Sequence, residues 1–149
     1  MSLFVRIYSR YHVVFEGEAD FASIPTRMGE VGILENHIRM YSKLENGIIR
    51  LRNGSNEQEF TCTGGIMEVL PKEIRILVDS AENVEMIDEA RAAEAVRRAE
   101  TAMKEAREQK DDSEFARAYL LLKKSRLRVS AAKRQSALRS GFSGDHTGK

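Results

Sequence analysis

The 149-residue chain is 42% hydrophobic and 32% charged, carries a formal net charge of +1, and contains one cysteine and three histidines. No apolar run approaches the ~18 residues of a membrane-spanning helix; one cysteine excludes an internal disulfide, and His12, His37 and His146 are too scattered for a metal-ligand cluster. With domains clustering at about 100–150 residues, the length suits one domain with an appendage, or two small units, and is enough to bury a real core.

The amino terminus, MSLFVRIYSRYHVVFEGE, lacks the long uncharged segment of a secretory signal and has acidic residues too early for a transit peptide. It predicts a chain made and kept in a reducing cytosolic compartment. From Phe4 to about Asp79 the pattern is short and β-like: FVRIYS, VVFEGEADFASI, IIRLR, EFTCT, IMEVL and IRILVD, punctuated by Asn53-Gly54, Gly64-Gly65 and Pro71. Alternation in Ile49-Arg50-Leu51-Arg52 and Glu59-Phe60-Thr61-Cys62 marks strands with one buried face, and Asn-Gly between two such runs signals a hairpin. Many short strands broken by Gly and Pro predict a β-sandwich, with Cys62 in the core rather than reactive. Gly29-Glu30-Val31-Gly32 matches the bare GXXG of a nucleic-acid-clamping loop, but that module needs helices on both sides. These flanks read as strands, so the glycines are assigned to a turn. His37 reads as a surface or strand-edge histidine, and Glu68 and Glu73 as solvated sheet positions.

Around Asp79 the texture changes. From Ala81 onward there is no proline, and no glycine before Gly141; Ala, Glu, Lys, Arg and Leu dominate, which is helix composition. Lys110-Asp111-Asp112-Ser113 divides this half, with Asp111 three residues before Glu114 as a capping box and Asp112 or Ser113 as alternative caps. The first helix is expected to bury Ile87, Ala90, Ala95, Val96, Ala99, Ala102, Met103 and Ala106, and the second Phe115, Ala118, Tyr119, Leu122 and Val129. An alanine-rich stripe lets two helices of about 22 residues approach closely as an antiparallel hairpin. Alanine buries little area, so at roughly 25 cal/mol per Å² the seam is a modest source of stability and easy to open. The predicted organisation is residues 1–81 for the sandwich and 82–139 for the hairpin, with the Gly- and Ser-rich 140–149 as a disordered tail.

No phosphate-binding GxxxxGKS/T loop, GxSxG elbow, HExxH motif or Cys-His pairing is present, so no catalytic constellation emerges. Two features suit an anion. Arg117, Lys123, Lys124, Arg126, Arg128, Lys133, Arg134 and Arg139 share a stretch without a single acidic residue. It is either a solvated helix face or a docking surface for nucleic acid, an acidic membrane or an acidic protein. In IDEARAAEAVRR, Asp88, Arg91 and Arg98 follow one another at spacings of three and seven on one helix face. That suits either an ordinary helix start with an i,i+3 pair or an anion site.

The order of these features resembles the epsilon subunit of F-type rotary ATP synthases from about Phe4 to Gln135, carried by VVFEGEADFASIP, GEVGILENH, NGIIRLRNG and GGIMEVLPKEIRILVDSAENVEMIDEARA. The family's GE(L/F)GILPGHAPL loop stands here as Gly29 to Ile38. Glu35-Asn36 replaces its Pro-Gly and Ile38-Arg39 its Ala-Pro, and its GGFxEV strand is Gly64 to Val69. The resemblance implies a ten-stranded β-sandwich followed by an antiparallel two-helix hairpin, in a non-catalytic rotor part of the central stalk. The sandwich would grip the gamma subunit and sit on the c-subunit ring, with Glu30 and His37 facing the ring, and so couple proton flow to ATP synthesis. In the bacterial family the hairpin also opens along gamma and lodges its basic second helix against the alpha/beta catalytic head, which stops ATP hydrolysis. Here that helix would act through Arg117, Lys123, Lys124, Arg126, Arg128, Lys133 and Arg134.

Some members bind ATP through I(L)DxxRA, matched here by Ile87, Asp88, Arg91 and Ala92. Glu82, Arg98, Lys124 and Arg128 correspond to the remaining ligand residues, with Lys124 in place of an arginine, which should weaken phosphate recognition. The resemblance implies no required cofactor and no metal, with ATP as a regulatory ligand that holds the hairpin closed. It also implies no nucleic-acid partner, membrane contact only through the complex, and a peripheral place on the cytoplasmic face of a bacterial inner membrane. The alternative is a free β-sandwich adaptor whose basic hairpin binds nucleic acid, with steep salt dependence.

Overall fold

In the computed structural model, which describes residues 2–143 and side chains as far as Arg139, the alternating segments become strands. They are β1 (Leu3–Tyr8), β2 (Val13–Ala19), β3 (Phe21–Thr26), β4 (Gly29–Ile33), β5 (Met40–Lys43), β6 (Gly47–Asn53), β7 (Asn56–Thr63), β8 (Ile66–Val69), β9 (Glu73–Leu77) and β10 (Ser80–Asn83). Two five-stranded sheets result, ordered β2-β1-β9-β8-β5 and β10-β7-β6-β3-β4. β1 and β9 run parallel, from Phe4 beside Glu73 to Tyr8 beside Leu77; the other pairings named here are antiparallel. The period of two carries the packing. Leu3, Val5 and Ile7 of β1 and Ile74 and Ile76 of β9 are buried with Ile24, Ile33, Ile49, Phe60 and Cys62 of the other sheet in one core. The strand pattern points to a β-sandwich and the family resemblance to ten strands followed by two helices; both are found.

Two of the glycine turns fall where the sequence puts them, but Gly29 and Gly32, assigned there to a turn, lie on β4: the turn itself is Arg27-Met28, Gly29 (φ 112°) closes it, and Gly32 pairs with Ser23 in mid-strand. Asn53 pairs with Asn56 across a turn whose Gly54 has φ 63° and donates its N–H to Asp20 Oδ2 at 2.6 Å. Gly65 has φ 124°, and a Cβ there would lie 2.3 Å from the Leu77 carbonyl oxygen. Both the backbone angle and the close approach require glycine.

The two compact units divide between Val84 and Glu85, not after Ala81. β10 lacks the alternation of the other strands and reads as the beginning of helix, yet it pairs with β7 as far as Asn83 beside Phe60 and leads into a short 3-10 turn, Val84–Met86, with Val84 buried. Glu82 therefore belongs to the sandwich.

The second unit is a pair of helices, α1 (Glu89–Glu108) and α2 (Asp112–Ser143). Three connecting residues suffice because both ends are capped. Lys110 takes φ 53°, its N–H donating to Arg107 O, while Asp111 N–H donates to Ala106 O, the paired bonds of a Schellman C-cap. Asp111 then caps α2, its Oδ1 accepting from Glu114 N–H at 3.1 Å, so of the three candidate caps Asp111 is the one used. The buried line on α1 is Ala92, Ala99 and Ala106, spaced by seven, with Ala95, Val96 and Met103 half-buried. Ala90 and Ala102, expected in the stripe, are exposed, as is Tyr119 on α2, where Ala118, Leu122, Ser125 and Ala132 are buried. Alanines occupy every side of α1, so composition leaves the phase of the stripe open. α2 also outruns its expected length: it reaches Ser143, into the segment read as tail, because Gly141 weakens a helix by only about 1 kcal/mol without ending it. The rest of that tail, 144–149, lies outside the described residues. Among the described residues no helix is long and apolar enough to cross a membrane.

Cys62 is fully buried, and burial together with the charge of Asp79 pushes its thiol up from 9.0 to about 12. The folded chain holds this proton more tightly than the unfolded chain. The resulting stability is complete below the unfolded value of 9.0 and is lost as pH climbs from there toward 12. In urea titrations between pH 8 and pH 10.5, the wild-type chain should lose about 2 kcal/mol more stability than Cys62→Ala loses over the same interval. Equal losses in the two chains would contradict the assignment.

Candidate functional site

The residues singled out from the sequence fall in both units. In the hairpin, Asp88 is the N-cap of α1, with φ −82° and ψ 113°, and its Oδ1 accepts from Arg91 N–H at 3.1 Å. Its Oδ2 lies 3.9 Å from Arg91 Nε, and the Arg91 side chain is 85% exposed. The three-residue spacing thus has a structural use, since a cap accepts from the amide three positions on. Among the described residues the guanidinium is held by one loose surface pair, worth little. Ala92 is fully buried, and Ile87 is half-buried. Ala92 begins a line of buried alanines, Ala92, Ala99 and Ala106.

Arg126 Nη2 lies 3.6 Å from Glu100 Oε1, and Arg139 Nη2 lies 3.9 Å from Glu85 Oε1. These two pairs fix the antiparallel register, in which Arg128 comes level with Arg98 and Arg134 level with Arg91. Arg98 lies along a shallow open groove on α1, with Glu94, Arg97, Thr101, Ala102 and Glu105. Lys124 sits about one turn from the level of Arg98, and Arg91 two turns, or about 10 Å, in the other direction. The hairpin therefore brings Arg98, Lys124 and Arg128 to neighbouring levels and sets Asp88 and Arg91 apart. Glu82 is on β10 in the first unit, its N–H donating to Thr61 Oγ1 at 3.1 Å. A ligand bound by the helical set would need several anionic groups spread along two turns.

Part of the basic stretch is compensated within the hairpin. Arg117 pairs with Glu114 at 3.5 Å, Arg126 with Glu100 and Arg139 with Glu85, all at exposed positions, while Lys123 Nζ stands 5.4 Å from the Tyr119 ring centroid. Lys133 is exposed.

In the sandwich, Glu30 lies on β4 opposite Pro25, with its side chain 58% exposed. Its carboxylate accepts from Ser23 Oγ and from Arg50 Nη1, the latter at 3.2 Å. His37 sits in the loop between β4 and β5, where its Nδ1 donates to Ile38 O at 2.8 Å and its backbone N–H to Leu34 O at 3.2 Å. Asn36, standing where the family has glycine, takes φ 64°, which asparagine tolerates better than most residues, and donates its N–H to Pro71 O at 2.7 Å. The loop thus has a left-handed residue before the histidine, and leaves Leu34 and Ile38 exposed on either side of it.

Pattern reading missed Arg50 and Ser23 as partners of Glu30. They lie 20 and seven positions away and meet it only through the strand order β6-β3-β4. It also missed a row across the outer face of the first sheet, where Val13, Tyr8, Leu77 and Ile66 stand side by side. Val13, Leu77 and Ile66 are each about half exposed. Exposed apolar residues were visible singly in the sequence, but their alignment needs the strand pairing.

Residues 2–84 match the family described as ATP synthase, Delta/Epsilon chain, beta-sandwich domain. The ATP synthase epsilon chain of Chromobacterium violaceum is 38% identical over 120 residues, covering 79% of this chain and 84% of that one. The ATP synthase epsilon chain of Synechococcus is 35% identical over 133 residues, covering 89% and 98%. A chain in the cryo-EM structure of the Euglena gracilis mitochondrial ATP synthase superposes with a TM-score of 0.72 at 19% identity, over 87% of this chain and 81% of that one, a likeness of fold. A β-sandwich with a helical hairpin, so related, defines a non-catalytic subunit of a larger complex rather than an enzyme in its own right. The chain belongs to the epsilon chain family of ATP synthase.

If Asp88 is first a helix cap, Asp88→Ala should destabilise the hairpin by about 1 kcal/mol without any nucleotide present, and Asp88→Asn should restore most of it. Helical circular dichroism through thermal melting of the full chain checks this. A melt unchanged by Asp88→Ala would leave the carboxylate without a structural role.

Proposed function

We propose that the chain is a rotor subunit of the central stalk, coupling proton flow through the c-subunit ring to ATP synthesis at the cytoplasmic face of a bacterial inner membrane. Its membrane contact is made only through the complex. The aligned apolar row Val13, Tyr8, Leu77 and Ile66 supports a gamma subunit docked on the outer face of the first sheet, because contiguous exposed apolar surface marks protein contacts. Glu30 and His37, with the exposed Leu34 and Ile38 beside the histidine, are the residues proposed to meet the c ring.

The hairpin is the regulatory part. The observation that carries this reading is its construction: α1 buries alanines, while α2 bears a stretch of cations without an acid. The helices separate at small cost, and the freed Arg117, Lys123, Lys124, Arg126, Arg128, Lys133 and Arg134 would seat against an acidic region of the alpha/beta catalytic head and stop hydrolysis. The test compares ATPase activity of the complex reassembled with the full chain and with a chain ending at Val84. Truncation should raise hydrolysis severalfold; equal rates would remove the inhibitory role and leave a mechanical coupler.

ATP is the proposed gate. Bound to Asp88, Arg91, Arg98, Lys124 and Arg128, it would favour the closed hairpin, and its loss would release the inhibitory form, a shift between two packings. Millimolar affinity requires only about −4 kcal/mol, which a few charge-assisted hydrogen bonds supply. Calorimetric titration of ATP into the full chain should give heat that Arg91→Ala abolishes. Heat undiminished in Arg91→Ala, or none from the parent chain at several millimolar ATP, would sink the gate while leaving the truncation experiment intact.

A further inference from the structure

The outer face of the second sheet carries a polar row with an unusual end. Glu59 on β7, Arg50 on β6 and Ser23 on β3 are directly paired positions, and the next place, on β4, belongs to Gly32, which has no side chain. Glu30, two residues before it on the same strand, turns its carboxylate toward this place and accepts there from Ser23 Oγ and Arg50 Nη1. Arg50 is itself anchored, its Nε donating to Glu59 Oε1 at 3.1 Å, and both Arg50 and Glu59 are mostly covered. Both bonds to Glu30 end on the same oxygen, Oε1. Among the described residues no hydrogen bond or ion pair reaches Oε2, although the side chain is 58% exposed.

We propose that Arg50 and Ser23 are positioning residues: they clamp Glu30 through Oε1 so that Oε2 is presented outward, at a fixed place, as an acceptor for one hydrogen-bond donor or cation on the polar loops of the c ring. This rests on the reading of Glu30 as a ring-facing residue. A free glutamate on a strand samples several rotamers and loses that freedom on docking; here the loss is already met in the folded sandwich, so the docked contact gains what ordering would have taken. Arginine suits the middle place because its planar fork serves two carboxylates at once, Glu59 through Nε and Glu30 through Nη1, which an ammonium cannot do in the same geometry.

The test uses ATP synthase membranes depleted of this subunit and titrated with the full chain, reading the concentration that half-restores ATP-driven proton pumping. Glu30→Ala should raise that concentration about tenfold, the loss of one charge-assisted hydrogen bond. Arg50→Met and Ser23→Ala should each raise it about threefold or more. Glu30→Ala combined with Arg50→Met should be no worse than Glu30→Ala alone, because a residue that acts only through Glu30 has nothing left to position. Arg50→Lys should recover part of the loss.

Multiplying effects in the double variant would overturn the proposal, as would an unchanged titration for Arg50→Met and Ser23→Ala beside a shifted one for Glu30→Ala. A titration that Glu30→Ala leaves unmoved is a different signature: the ring-facing reading itself then fails, and the positioning role with it. Should Arg50→Met melt below the assay temperature, Ser23→Ala and Arg50→Lys, milder changes on the same carboxylate, carry the comparison.

Discussion

The parallel pairing of β1 with β9 joins the two ends of the sandwich sequence, and the remaining strands depend on it. A parallel pair cannot be closed by a tight turn, so everything between the two strands must first loop out and return. β1 thereby acquires neighbours on both edges, and Leu3, Val5 and Ile7 are sealed from water. The same pairing fixes register for the outward residues. Tyr8 beside Leu77 on one face is the direct counterpart of Ile7 beside Ile76 on the other. A slip of β1 by one residue would turn Arg6 inward and expose Leu3, Val5 and Ile7, so the core enforces the surface pattern.

The hairpin is held by other means. Where the sandwich removes branched aliphatic side chains from water, α1 buries methyl groups at Ala92, Ala99 and Ala106. Its definition comes from its ends: Asp88 before the first turn, the paired bonds around Lys110, and Asp111 before the second helix. Exposed ion pairs such as Arg126 with Glu100 mark its register but add little energy. A unit with so little buried apolar area sits at the low end of local stability within a chain.

This contrast also explains how much could be read in advance. The alternation in Ile49-Arg50-Leu51-Arg52 and the glycine turns spelled out the sandwich because steric and hydrophobic requirements there are strict, and Cys62 lies in the core for the same reason. Alanine is compatible with any face of a helix, so Ala90 and Ala102 could not be told from Ala92 and Ala99 by composition. The end of α2 was misplaced because Gly141 weakens a helix without stopping it, and the domain boundary because Ser80–Asn83 has no alternation to mark a strand. At the candidate site, Asp88 and Arg91 were legible as a spacing whose structural use is a cap. Glu30 and His37 were legible only through resemblance to a family. Arg50 and Ser23 were not legible at all, since a cross-strand row exists only once four strands lie in order.

The burial of Cys62 has a practical side. The chain's single thiol is enclosed between two sheets and holds its proton well above neutral pH. A cysteine introduced at any exposed position would then be the sole handle open to a maleimide dye, with no native residue to remove beforehand. Two introduced cysteines, one on the sandwich and one on α2, would carry dyes that let the distance between the two units be followed in single molecules of the assembled complex.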